Sequence, residues 1–250
     1  MQILITRPKA QAQSLKRICD HLCLKPVLLP CVEIQSDIKN NMFGKAVHQF
    51  GETDMVIVVS ANAAKIAVSH WPSCEQQPLV LAIGPATAQQ ITNLGGQVDA
   101  IASPPDSTGL LSLPCLQAEQ VENKKITLFC GRNPKLLLKE TLENRGAKVS
   151  LAYCYERICP VPLTKEGWLS KVKMIEPFIV ISTSVSLLEN LVFMVPTEYL
   201  RLLESMPLIV ISAAMVDKAK ELGFSHIVQA DNATVDAIEQ ALLGVLAGQK

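Results

Sequence analysis

The segment ILITRPKAQAQSLKRI (Ile3–Ile18) and the segment TLFCGRNPKLLLKETL (Thr127–Leu142) follow one pattern, and that pattern decides the fold. Each opens on a short apolar run, passes an arginine (Arg7 or Arg132), and continues with apolar residues at helical spacing. A buried strand followed by an amphipathic helix produces this order. The likeness extends further. KPVLLPCVE (Lys25–Glu33) matches KVSLAYCYE (Lys148–Glu156), with Glu33 over Glu156. VIVVSANAAKIA (Val56–Ala67) matches IVISTSVSLLENL (Ile179–Leu191), with Ser60 over Ser184. PLVLAIGPATAQQITNLGG (Pro78–Gly96) matches PLIVISAAMVDKAKELGF (Pro207–Phe224), with Gly84 over Ser212. The offset stays near 124–129 residues, so the chain reads as two copies of one α/β unit in the order a–b–a′–b′.

Between these segments, apolar runs of strand length alternate with helical patterns. Ile3–Thr6, Val27–Leu29, Met55–Ser60, Leu79–Ile83, Ile126–Cys130, Phe178–Ser182, Leu208–Ser212 and Ile227–Gln229 read as strands. Helices are expected through Leu15, Ile18 and Leu22, and over Asn62–Ser69, Pro85–Leu94, Leu136–Asn144, Ala214–Leu222 and Thr234–Leu246. The Leu-Gly pairs at 94–95 and 222–223 are expected to end helices in a left-handed cap. Continuous apolar strands alternating with helices imply parallel sheets covered on both faces.

A length of 250 residues is where single cores give way to two. Sequence order leaves two pairings open. The lobes are a+b and a′+b′, divided near residue 120, or b+a′ is inserted and a+b′ closes around it. The second needs two chain crossings, for which Pro30–Ser36 and Tyr153–Pro162 are equivalent candidates. Pro160 and Pro162 suit an extended connection.

Composition excludes several functions. Lys+Arg and Asp+Glu both total 23, apolar residues reach 49% and aromatics only 4%. Such a chain is neither disordered nor built to grip a nucleic-acid backbone or an anionic membrane, and it lacks aromatic platforms for bases. Its apolar runs are too short for a bilayer, and Met1–Pro8 lacks the shape of a signal peptide. The eight cysteines form no CxxC pair, and the four histidines have no partner at metal spacing. The cysteines therefore read as small buried hydrophobes in a reducing cytoplasm, with no metal expected.

Polar residues recur where strands end: Thr6-Arg7, Ser60, Gly84, Gly131-Arg132, Thr183-Ser184 and Ser212. In open parallel sheets ligands bind at that edge, and helix N-termini there attract anions. The plainer reading is that these serines and threonines are ordinary N-caps. No GxGxxG, GxxxxGK[ST] or GxSxG is present. An enzyme built this way works by orientation and hydrogen bonding. Tyr155 stands in the crossing segment, on the same alternating side as Tyr153. Its phenol can donate to a leaving oxygen, or simply pack in the hinge with its hydroxyl bonded to backbone.

These pieces together resemble the uroporphyrinogen-III synthase family. The resemblance rests on ILITRP (Ile3–Pro8), SANAA (Ser60–Ala64), AIGPATA (Ala82–Ala88), Gly131–Arg157 with its RGAKV and CYER, the IST-S strand end (Ile181–Ser184) and LIVIS…LG (Leu208–Gly223). It implies two similar lobes, each a parallel sheet flanked by helices, joined by a two-stranded linker with an active-site cleft between them. It selects the crossed pairing: residues 1–34 plus 173–250 as lobe 1, residues 37–160 as inserted lobe 2, and linker strands about 30–36 and 153–162. It implies the substrate hydroxymethylbilane, a linear tetrapyrrole with eight carboxylates, closed with loss of water and inversion of ring D through a spiro intermediate. No cofactor or metal is implied, and a cytoplasmic monomer is expected. Tyr155 matches the family's linker tyrosine. Ser60 and Asn62 match its Ser-x-Asn, Gly84 and Thr87 its Ile-Gly-x-x-Thr, and Thr183-Ser184 its Thr-Ser strand end. With Arg7, Gly131, Arg132 and Ser212, these are the expected substrate-binding residues. Departures are Cys130 and Lys135, where arginines are common, Val59 for a common threonine, and Cys23 for the usual helix-ending glycine.

Two rivals share the fold: a non-catalytic two-lobed module closing on a small anion, and a cofactor-dependent oxidoreductase or transferase. The absent phosphate loops speak against the second. The neutral charge balance argues against a strongly basic cleft, leaving the substrate's carboxylates to backbone N–H groups, hydroxyls and a few residues such as Arg7 and Arg132.

Overall fold

The computed structural model describes residues 1–172 and 178–248. Its strands, in chain order, are β1 (Gln2–Ile5), β2 (Lys25–Leu28), β3 (Glu33–Ser36), β4 (Met55–Val58), β5 (Leu79–Ala82), β6 (Ala100–Ile101), β7 (Lys125–Gly131), β8 (Lys148–Ile158), β9 (Phe178–Ile181), β10 (Leu208–Val210) and β11 (Ile227–Gln229). They form two sheets, β11-β10-β9-β1-β2 and β3-β8-β7-β4-β5-β6. Every pairing with a described register is parallel.

The chain divides into two compact units, Met1–Glu33 with Ile158–Lys250, and Ile34–Arg157. The strands of a and b′ share the first sheet, and those of b and a′ share the second. The boundary read at 173 lies outside the described residues, and the division by contacts returns to the first unit earlier, at Ile158. The reason is the helix Lys165–Lys171, whose Trp168 is fully buried in that unit's core with Leu4, Val180 and Leu208.

Both sheets have one topology. When β7, β8, β4, β5 and β6 are laid over β1, β2, β9, β10 and β11, the two strand orders coincide, and β3 is added outside β8. The first unit thus has the doubly wound order 2-1-3-4-5. The second is its circular permutant, entered at its third strand. Each sheet is covered twice. In the first unit Leu4, Val180 and Val210 face one apolar cluster, and Ile3, Ile5, Ile179 and Ile209 face the other. In the second, Val56, Val58 and Phe129 oppose Met55, Ile57, Leu81 and Leu128. Burying each such side chain is worth about 1.5–3 kcal/mol, which is why continuous apolar strands settle in the centre.

The helices after β1, β5, β7 and β10 end alike. Leu24 N–H reaches Cys19 O, Gly96 reaches Ile91, Ala147 reaches Leu142, and Phe224 reaches Ala219. The residue between is left-handed each time: Gly95, Gly146 and Gly223 at φ of 84°, 89° and 91°, and Cys23 at 55°. Cys23 therefore does without glycine what its three counterparts do with it. Several elements exceed the sequence reading: the helices Asn41–His48 and Thr197–Ser205, and the short strand β6. No helix among the described residues is long and apolar enough to cross a membrane.

Candidate active site

In the second unit the strand order turns between β7 and β4. The carboxyl ends of those strands open on a pocket of about 410 Å³. Such a switch point is where an open α/β sheet leaves room for a ligand. Ser60 follows β4 and caps the helix Ala61–Ala67, its Oγ accepting the Ala63 N–H at 3.1 Å. The same Oγ lies 3.2 Å from the Tyr155 hydroxyl. With Ser60 donating to the phenol oxygen, the phenol proton is free for an acceptor in the pocket.

Tyr155 reaches this position through a break in register. Cys130 pairs with Tyr153, but the next residue, Gly131, pairs with Tyr155, leaving Cys154 as an extra residue. Cys154 and Tyr155 consequently pack in one apolar cluster, while Tyr153 packs against the cluster on the opposite face. This corrects the simple alternation that puts both tyrosines on one side. Gly131 makes the arrangement possible: a Cβ there would stand 2.7 Å from Cζ of Tyr155 and 2.8 Å from its Cε2. The ring lies directly over the glycine, and Tyr155 is 3% exposed.

Arg132 is held from several sides. Its Nε donates to Asp37 Oδ2 at 2.6 Å, Glu156 Oε2 stands at 4.0 Å, and its guanidinium sits 5.7 Å from the Tyr153 ring centroid. Its backbone N–H donates to the Tyr155 carbonyl. The hydrogen bond that Arg132 donates to Asp37 raises the guanidinium above its already basic range. Asn40 fixes the Asp37 turn by donating to the carbonyls of Asp37 and Tyr153. The pocket wall also carries Lys135, Lys139 and Arg157, and no carboxylate among the described residues. Lys139 is paired with Glu143 at 2.7 Å, whereas Lys135 and Arg157 have no ion-pair partner among the described residues.

In the first unit the equivalent turn falls between β1 and β9. Arg7 spans it, Nε donating to Thr183 Oγ1 at 2.9 Å and Nη2 to the Ala233 carbonyl at 3.2 Å. The half-buried guanidinium has its pKa lowered by desolvation and has no acidic partner among the described residues. Ser184 caps the helix Val185–Met194 by accepting from Leu187 N–H at 3.2 Å. Ser212 precedes the helix Ala213–Glu221 but makes no side-chain cap bond.

A model described as Uroporphyrinogen-III synthase HemD matches residues 13–240 of this chain. The chain belongs to the uroporphyrinogen-III synthase family. It is 30% identical to the uroporphyrinogen-III synthase of Escherichia coli (strain K12) over 253 residues, covering 97% of this chain and 100% of that one. The synthase of Salmonella typhimurium is also 30% identical, with the same coverage. Among solved structures, the uroporphyrinogen-III synthetase of Helicobacter pylori aligns with a TM-score of 0.58, covering 98% of this chain and 100% of that one at 15% identity. A mutant synthase of Thermus thermophilus aligns at 0.51, covering 98% and 99% at 14% identity. Both likenesses speak to the fold.

For a chain of this family, the structure gathers part of the expected set. Ser60, Gly131, Arg132 and Tyr155 line one pocket. Asn62, Gly84 and Thr87 do not line it. Gly84 begins the helix Pro85–Asn93 and lies so close to Pro105 that a Cβ would stand 2.6 Å from that residue's Cβ. Thr87 is buried on the inner side of the same helix with Ala88 and Ile91. Arg7 and Thr183 are joined in the first unit, with Ser184 beside them. The sequence reading named Lys135 only as a departure from a common arginine, and it missed Arg157 on this wall and Asp37 behind Arg132. It treated charge as a total, and a neutral total conceals a locally basic pocket. Cys130 also faces this pocket, and burial pushes its thiol up to about 12, so it stays neutral and inert. No group of three or more His, Cys, Asp or Glu side chains among the described residues is placed to hold a metal ion.

Proposed function

We propose that this chain cyclises hydroxymethylbilane to uroporphyrinogen III, as a cyclising lyase of tetrapyrrole biosynthesis acting without a cofactor. The observation that carries the reading is the family match over residues 13–240. The pocket supplies chemistry of the right kind. Departure of the ring A hydroxyl as water needs a proton, and the Tyr155 phenol, oriented by Ser60, is the donor proposed for it. Ring D then attacks the azafulvene through its substituted α-carbon, the spiro intermediate opens, and recombination leaves ring D inverted. The remaining task is to hold the chain ends in the spiro geometry, a matter of orientation.

Ser60, Asn62, Gly84, Thr87 and Gly131 of the second unit, with Arg7, Thr183, Ser184 and Ser212 of the first, are the residues proposed to touch substrate, and Arg132 lines the pocket beside Tyr155. The protein works as a cytoplasmic monomer on this small molecule. A non-catalytic anion-binding module has no use for a phenol braced against a serine at the sheet switch point. The test supplies hydroxymethylbilane and separates the product isomers chromatographically. Type III product is expected; type I alone, at the uncatalysed rate, would sink the reading.

A further inference from the structure

Four basic residues line the pocket at the β7–β4 switch point, but they are not equivalent. Arg132 is engaged by Asp37 at 2.6 Å, has Glu156 at 4.0 Å and lies over the Tyr153 ring. One guanidinium facing two carboxylates is a net negative cluster, and a third carboxylate brought to it meets repulsion before it meets a free donor. Lys139 is neutralised by Glu143 on its own helix. Lys135 and Arg157 keep their charge unpaired among the described residues, on the same wall as Ser60 and Tyr155.

We infer that Lys135 and Arg157 receive carboxylates of the substrate in this pocket, and that Arg132 is a positioning residue that clasps Asp37. Asp37 directly follows the crossing strand β3, and its backbone N–H donates to Cys154 O at 2.9 Å. Arg132, through Asp37 and its own bond to the Tyr155 carbonyl, ties that turn to the residues that carry the phenol. Lys135 and Arg157 determine specificity by rewarding a ligand dense in carboxylates. Lys135 sits in the loop after β7, and Arg157 at the end of β8.

This inference rests on the synthase reading, and the experiment separates the two. Wild-type protein that forms no type III isomer from hydroxymethylbilane would end the synthase reading itself. With type III formation established, Lys135→Gln and Arg157→Gln are each expected to raise KM by about 3–10-fold and to hold kcat within about twofold, as loss of uniform binding requires. Arg132→Gln is expected to change KM by less than about twofold while lowering the melting temperature. The reverse pattern, with Arg132→Gln raising KM most and the other two leaving it unchanged, overturns the inference. A second measurement needs no turnover. Uroporphyrin, with eight carboxylates, and coproporphyrin, with four, are titrated as dead-end ligands at two salt concentrations. The wild type is expected to prefer the octa-acid in a salt-sensitive way, and the double variant to lose at least about threefold of that preference. A double variant that retains the preference and its salt dependence also overturns it.

Discussion

The hydroxyl of Tyr155 lies 3.2 Å from Ser60 Oγ, across the full width of β7, because a one-residue break in register turns β8 toward the end of β4. Removing only the phenol oxygen leaves the ring in place over Gly131. Tyr155→Phe is therefore expected to keep the melting temperature within about 2 °C and to lower kcat by about 10–100-fold, at or below the low end of the range for loss of a general acid. Orientation and carboxylate contacts survive, so activity does not vanish. Unchanged turnover in the isomer assay would remove the acid role.

Gly131→Ala tests the same geometry from below. The added methyl needs space that the Tyr155 ring occupies at 2.7 Å. Overpacking of this kind costs about 1–3 kcal/mol and displaces the ring. Both the denaturation midpoint and kcat should fall, with kcat falling at least as far as in Tyr155→Phe. A variant with normal kcat would show that the ring's position does not matter to the reaction.

Cys23→Gly is expected to stabilise the protein by about 1 kcal/mol. Cys23 holds a φ of 55° at a helix end where its three counterparts are glycines, and an L side chain is strained there. Chemical denaturation of the two proteins side by side gives the answer. Equal or lower stability of the glycine variant would mean that the added freedom of its unfolded chain outweighs the relieved strain.

Asp54 offers a pH-dependent test at the surface. Its pKa is lowered, first by the Lys125 backbone N–H it accepts, then by the Lys124 side chain. A carboxyl with a lower pKa in the folded state stabilises above its unfolded pKa, and loses that contribution as pH falls through the folded value. Asp54→Asn should therefore be less stable than wild type at pH 7, by no more than about 1 kcal/mol for an exposed group. The difference should close as pH falls through the lowered folded-state pKa. A gap that persists in acid would assign the effect to something other than charge.

Iodoacetamide at pH 8 should modify Cys23, which is exposed, well before Cys130, Cys31 or Cys154. Burial raises all three of these buried thiols, Cys130 and Cys31 to about 12. Mass spectrometry of peptides after brief labelling reads the order. Early labelling of Cys130 would show that the pocket wall opens to solvent.

Parallel sheets covered on both faces could be read from the chain because β1, β4, β7 and β9 are continuous apolar runs and the repeat pairs them one to one, but the order of strands and the sharing of each sheet between distant segments could not, since sequence order left two pairings open. The strand-end positions of Arg7, Ser60, Arg132 and Thr183 followed from the same runs. Meeting of Ser60 with Tyr155 did not follow. It depends on one extra residue, Cys154, in a ladder between strands, and strict alternation predicts the opposite face for the ring. The clasp of Arg132 by Asp37 joins residues 95 positions apart and leaves no local pattern. Strand β6 has two residues, too few for any periodicity to register.

The permuted order of the second unit bears on how the protein is made. Residues 34–157 form that unit from one uninterrupted stretch, so it can close as soon as β8 leaves the ribosome. Strands β1 and β2 emerge first yet must wait, since Gln2 to Ile5 find their partners at Phe178 to Ile181. The earliest apolar strand synthesised is thus among the last to be covered. A slow step late in translation, between residues 178 and 229, would prolong the exposure of Ile3, Leu4 and Ile5, and aggregation rather than lost chemistry would be its first symptom.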